Sequence, residues 1–209
     1  ESWLSVIAIV LLLIVQAAGD LTLPDYTSKI VNIGIQSGGI ENPAPEVIRK
    51  SEMDNLLIFT EDDEQILNDY KEISKENLDE KEYEKLVKTY SALENETLYE
   101  VKKLNSEEQT QLNNMMIKPL MMLSSLENEE TANSMKEQML SSMSANIPEQ
   151  QKIAMQNMEL IDIIKQMPKE QVDKMLETVN EKLDNMQNSI LEQAAIQQVK
   201  KEYKAIGIN

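Results

Sequence analysis

The stretch PKEQVDKMLETVNEKLDNMQNSI, residues 168–190, carries the most regular pattern in this chain of 209 residues. Val172, Leu176, Val179, Leu183, Met186 and Ile190 follow one another at steps of 4, 3, 4, 3 and 4. Such a seven-residue seam predicts a long helix packed at a shallow angle along its neighbours. Pro168, after Gln166-Met167, stands where a first-turn proline opens a helix, as does Pro148 after Asn146-Ile147. A partner-binding coiled coil could use the same seam. Packing within an antiparallel bundle of this chain is the reading adopted, so the predicted fold is all-α.

Working toward the N-terminus, cap signals announce further helices. Pro45 is placed to start one that runs through Phe59, with Val47, Ile48, Met53, Leu56 and Leu57 apolar. Thr60 with Asp63 opens a second, which carries Ile66, Leu67 and Tyr70. Asp79 with Glu82 opens a third, along which Tyr83, Leu86, Val87, Tyr90 and Leu93 recur at helical spacing. Ser106 with Gln109 reads as a capping box for a fourth, leading into a Met-rich patch from Leu112 to Leu126. Pro119 lies inside that run, so a kink or break is expected there.

Composition fits a helical, water-facing domain. The chain holds 37 acidic and 20 basic residues, a net charge of −17, and Glu1, Asp20, Asp25 and Lys29 are the only charges before residue 36. Such a surface repels nucleic acid and anionic headgroups, and favours cationic partners. With 5 glycines and 6 prolines, little of the chain suits a turn-rich β fold. There are no cysteines, hence no disulfide scaffold, and no histidines, hence neither the usual general base nor the commonest metal ligand.

Residues 3–35, WLSVIAIVLLLIVQAAGDLTLPDYTSKIVNIGI, differ from everything that follows. No charge occurs from Trp3 to Gly19. As a helix that stretch is roughly 26 Å long, against a hydrocarbon core of about 30 Å. Trp3 and Tyr26 stand where interfacial aromatics stand. Ser5, Gln16, Asp20 and Thr27, spaced by 11, 4 and 7, fall on one narrow stripe. An acid near membrane depth faces a protein interior or an aqueous cavity, so the segment reads as one spanning helix of a larger assembly. A signal peptide cleaved near Val15-Gln16-Ala17 is the alternative, but the helical pattern carries on past that point. The start at Glu1, without Met or a basic flank, reads as a fragment of a longer protein. The cluster Gln36 to Pro45 marks the exit from the membrane.

Asp20-Leu21-Thr22-Leu23-Pro24, followed by Lys29-Ile30-Val31-Asn32-Ile33-Gly34-Ile35, resembles the first transmembrane helix of bacterial ABC exporters of the multidrug type. Glu202 to Asn209, EYKAIGIN, looks like the approach to the second such helix in the same family. The two matches cover about 40 of the 209 residues and bracket the chain. The resemblance implies a subgroup with a large extracellular insertion between the first two spans. It implies residues 1–35 as transmembrane helix 1 with its extension, and residues 36–209 as an extracellular helical domain returning to transmembrane helix 2. It also implies a bacterial cell-membrane location, a second half-transporter as a homo- or heterodimeric partner, and ATP with Mg bound elsewhere in the parent. Ser5, Gln16, Asp20 and Thr27 would then face the translocation pathway. The domain would gate or modulate substrate release, and cationic small molecules or peptides are the substrates its charge would favour. The competing class is the extracellular bundle of a chemoreceptor or sensor kinase; a third is a cleaved, secreted helical binding protein.

Motifs that carry chemistry are sparse. Glu61-Asp62-Asp63-Glu64 lacks the alternating acids and central glycine of a calcium loop and suits the first turn of a helix. Met115, Met116, Met121, Met122, Met135, Met139 and Met143 could ligate a soft metal, but core packing explains them better. No phosphate loop, nucleophile with base, or HExxH occurs, so no catalytic or cofactor site is expected within the chain itself.

Overall fold

Prolines decide how the first ordered segment is built. Pro43 and Pro45 disfavour helix at the residues before them, and the chain goes on as a strand, β1 (Val47–Arg49), where a helix from Pro45 was expected. Residues 39–143 and 149–208 are described by the computed structural model, and from Asn42 onward they belong to one unit. Helix α1 (Lys50–Leu56) follows β1 directly, and a 3-10 turn (Leu57–Phe59) ends it. The second expected helix is α2 (Asp63–Asp69), which gives way at Tyr70 to strand β2 (Tyr70–Ile73). The third is α3 (Glu80–Thr89), where the Asp79 side chain accepts from Glu82 N at 2.8 Å, as its sequence signal requires. A 3-10 turn (Ser91–Glu94) then leads to β3 (Leu98–Val101).

The all-α expectation is thus met only as a mainly helical fold. The three strands form an antiparallel sheet of order β1-β3-β2, in which Leu98 of β3 lies between Arg49 and Ile73. Strands of three and four residues are too short to show a period, and only pairing defines them. Val47, Ile73, Ala92, Leu93, Leu98 and Ile206 make one buried cluster, and Tyr83, Leu86 and Val87 of α3 pack against it.

Helix α4 (Ser106–Glu127) is capped one residue earlier than expected, by Asn105, in a reciprocal box with Glu108. It runs through Pro119 without stopping. The proline removes one backbone hydrogen bond, whereas Leu112, Met116, Leu120 and Leu123 on the same helix are each at most 3% exposed, and that burial outweighs the loss. Helices α5 (Glu129–Met143), α6 (Glu149–Gln156), α7 (Leu160–Lys165), α8 (Lys169–Leu183) and α9 (Asn188–Ile206) complete the unit. The most extensive packing joins α4 to α9.

The long heptad helix is divided. Val172, Leu176 and Leu183 are buried as the seam requires, but α8 ends at Leu183 and Ile190 is 49% exposed. Asp184 and Asn185 have side chains that compete for backbone groups. Asn185 Nδ2 donates to the Glu181 carbonyl at 2.7 Å, and Lys118 draws Asp184 aside at 2.6 Å. Helix α9 then starts afresh with its own buried stripe. The Gly207 backbone, at φ 97°, closes α9, with Ile208 N donating to Tyr203 O at 2.8 Å.

Among the described residues no helix is long and apolar enough to cross a membrane. The expected spanning helix with Ser5, Gln16, Asp20 and Thr27 lies outside the described residues, as does Pro148.

Candidate functional site

Helix α9 buries Leu191, Ala195, Gln198, Glu202 and Ile206 on one face, steps of 4, 3, 4 and 4 that place two polar side chains in the middle of an apolar stripe. Gln198 is 1% exposed and Glu202 3%. Buried polar groups need partners, and the two residues meet that need unequally.

Glu202 is saturated. Arg49, the last residue of β1, gives it a backbone N–H at 2.7 Å to Oε1, its Nε at 3.1 Å to both oxygens, and its Nη2 at 2.7 Å to Oε2. Glu96 stands on the other side of the guanidinium, 3.8 Å from Nη1. Next to Glu202 in the chain, Tyr203 Oη accepts from Glu46 N at 2.8 Å, and burial pushes the Tyr203 hydroxyl up to about 12. Strand β1 and helix α9 are thereby clamped together.

Gln198 is the centre of a second cluster. Its Nε2 donates to Glu52 Oε1 of α1 at 2.8 Å and to Glu127 Oε1, at the end of α4, at 2.7 Å. Lys201 Nζ reaches Glu127 Oε2 at 3.2 Å. Among the described residues, however, Gln198 Oε1 finds no donor, and neither does Asn55 Oδ1 on α1. Glu52 is 5% exposed. Burial, reinforced by the charges of Glu202 and Glu127, raises its carboxyl above the ordinary range, while the Gln198 amide and Arg49 oppose the shift.

Glu52, Asn55 and Glu127 also line a cavity of about 680 Å³, whose other walls come from α4, α5 and residues 157–161. Leu123, Leu126, Leu160 and Ile161 supply its apolar surface. That volume lies within the range typical of small-molecule sites, roughly 300–1,000 Å³.

None of these residues was expected from the sequence to form a site; Glu202 and Tyr203 were read only as part of the approach to a second spanning helix. Polar side chains in phase with an apolar helical stripe were the available signal, and it is plain at Gln198 and Glu202 once α9 is taken as a separate helix. The carboxylate run Glu61 to Glu64 is exposed at the start of α2, with Asp63 Oδ1 accepting from Glu64 N. Of the methionines, Met116 and Met122 are buried in the core and Met115, Met121, Met135 and Met139 are half-buried; the side chain of Met143 lies outside the described residues. Among the described residues, no group of three or more acidic side chains is placed to hold a metal ion. Comparison of the chain with family models, curated proteins and solved structures gave no match.

Proposed function

We propose that this chain is part of a bacterial ATP-driven exporter of the multidrug type, and that its helical unit is an extracellular insertion between the first two spanning helices. The unit modulates substrate release, while ATP and Mg are bound by another domain of the parent, which works with a second half-transporter in the cell membrane. The observation that supports this reading is the β1–α9 clamp. Arg49 and Glu202 are 153 residues apart in sequence and share a bidentate ion pair. A domain inserted into a host returns the chain close to where it left, and a unit whose first and last elements are fastened together suits that role. Helices that move apart during alternating access would pull on both sides of one rigid joint. The unit would then tilt or shield the opening as a body instead of stretching.

Replacing Asn42 to Lys200 by a short Gly/Ser linker in the full-length parent tests the proposal. Basal ATP hydrolysis should persist while substrate-stimulated turnover or substrate range changes. Transport kinetics equal to those of the intact protein across several cationic substrates would contradict it. Asp20→Asn should alter export in a protein that still folds, because the stripe of Ser5, Gln16, Asp20 and Thr27 is taken to line the pathway.

A further inference from the structure

We propose that the cavity bordered by Glu52, Asn55 and Glu127 binds an organic cation bearing N–H donors, an ammonium or guanidinium group carried on an apolar body. The site would exist whether or not the parent is an exporter, and so goes beyond the transport reading.

The walls are short of donors. Glu52 is 95% buried, yet only its Oε1 is engaged, by Gln198; no hydrogen bond to Oε2 is present among the described residues. Asn55, three residues further along the same side of α1, lines the cavity beside Glu52. An unpaired buried acceptor is costly, and the group that would complete this wall is an N–H donor.

Charge points the same way. Glu52, Glu127, Glu129 and Glu159 line the cavity against one cation, Lys136. The Lys136 ammonium is already held by two carbonyls, Gln156 O at 3.0 Å and Met158 O at 3.1 Å, and so leaves the carboxylates of α1 and α4 without an ion pair from within the cavity. Outside it, Lys201 meets Glu127 at a half-exposed site, and Arg49 is committed to Glu202. Leu123, Leu126, Leu160 and Ile161 give an apolar body its own contact surface. A bare metal ion would make no use of that surface, whereas an anion would meet the carboxylates.

The complete chain in detergent micelles, with its methionines labelled on the 13C methyl, is the material for the test. Met158 lines the cavity and its methyl signal is the reporter. Titration with 4-phenylbutylammonium should shift that signal saturably. The anion 4-phenylbutanoate should not, and tetraphenylphosphonium, a cation without N–H groups, should bind at least fivefold more weakly. Glu52→Gln should weaken binding of the ammonium tenfold or more, with the Glu80→Gln control on exposed α3 unchanged. Asn55→Asp should strengthen it severalfold, which keeps the test decisive should Glu52→Gln disturb the fold. Equal affinity in Glu52→Gln, equal affinity for the phosphonium, or a shift that never saturates would each overturn the proposal.

Discussion

Two polar residues one turn apart on α9 meet opposite fates, and the difference separates structure from function in this unit. Glu202 receives a backbone N–H and both arms of the Arg49 fork, so its burial is matched by donors on both oxygens. Gln198 has both N–H groups in use, yet its oxygen is unpaired, and it holds two carboxylates, Glu52 and Glu127, close to each other. A satisfied network fixes one geometry and rigidifies it. A network that lacks donors costs stability and keeps an affinity for a ligand that brings them. The clamp is therefore the satisfied end of α9, and Gln198 is its open end, braced against the Glu52 and Glu127 that border the proposed cation site.

Arg49→Ala attacks the satisfied end and should have the largest effect. It leaves the buried Glu202 without its cation and with only the residue-49 backbone N–H as donor, a change worth about 3 kcal/mol. Chemical denaturation of the chain followed by circular dichroism would measure it, and a loss under about 1 kcal/mol would mean that the ion pair is not holding β1 to α9.

Gly207→Ala should cost less, roughly 1–3 kcal/mol. The position has φ 97°, which a side chain disfavours, and a Cβ there would run into Ser91 Oγ. The strain comes from two sources, so Gly207→Ala combined with Ser91→Gly should recover the steric share and leave the backbone share. Identical melting of the single and combined variants would remove Ser91 from the account.

Lys201→Ala should be nearly silent, at about 0–1 kcal/mol, because its pair with Glu127 is half-exposed on both sides. A large loss would show that Glu127 depends on that cation, and that the open end is better satisfied than the geometry indicates.

Much of the helical plan was legible in the sequence because capping is local. Asp79 with Glu82 caps α3 where expected, and the same chemistry at Asn105 with Glu108 opens α4 one residue ahead of the expected Ser106. The heptad seam holds through Leu183, where side chains still face a neighbouring surface. Beyond it the seam misleads. Met186 and Ile190 continue a period that the backbone abandons, because Asn185 bonds its own chain and Asp184 turns to Lys118. The sheet was not legible, since Val47-Ile48-Arg49 has the same local pattern in a strand as in the first turn of a helix. The site was least legible of all. Glu52 bonds Gln198 across 146 residues and Arg49 bonds Glu202 across 153, and no cap or period reports a contact at that distance.

The contrast between the two ends of α9 is tested most directly by two isosteric changes measured side by side, the unfolding free energies of Glu202→Gln and Glu52→Gln from pH 4 to pH 8. Glu202→Gln should lower stability at neutral pH by removing the charge that Arg49 holds. Glu52→Gln should raise it. The Glu52 carboxyl is raised in the folded state, so that state binds its proton more tightly than the unfolded chain; its stabilising share is full below the unfolded carboxyl range and is lost as pH rises through the folded one. Removing the charge should therefore gain stability near pH 7, and the gain should shrink toward pH 4. Opposite signs at pH 7 are the predicted result; a loss of stability in both variants would contradict the division of α9 into a satisfied end and an open one.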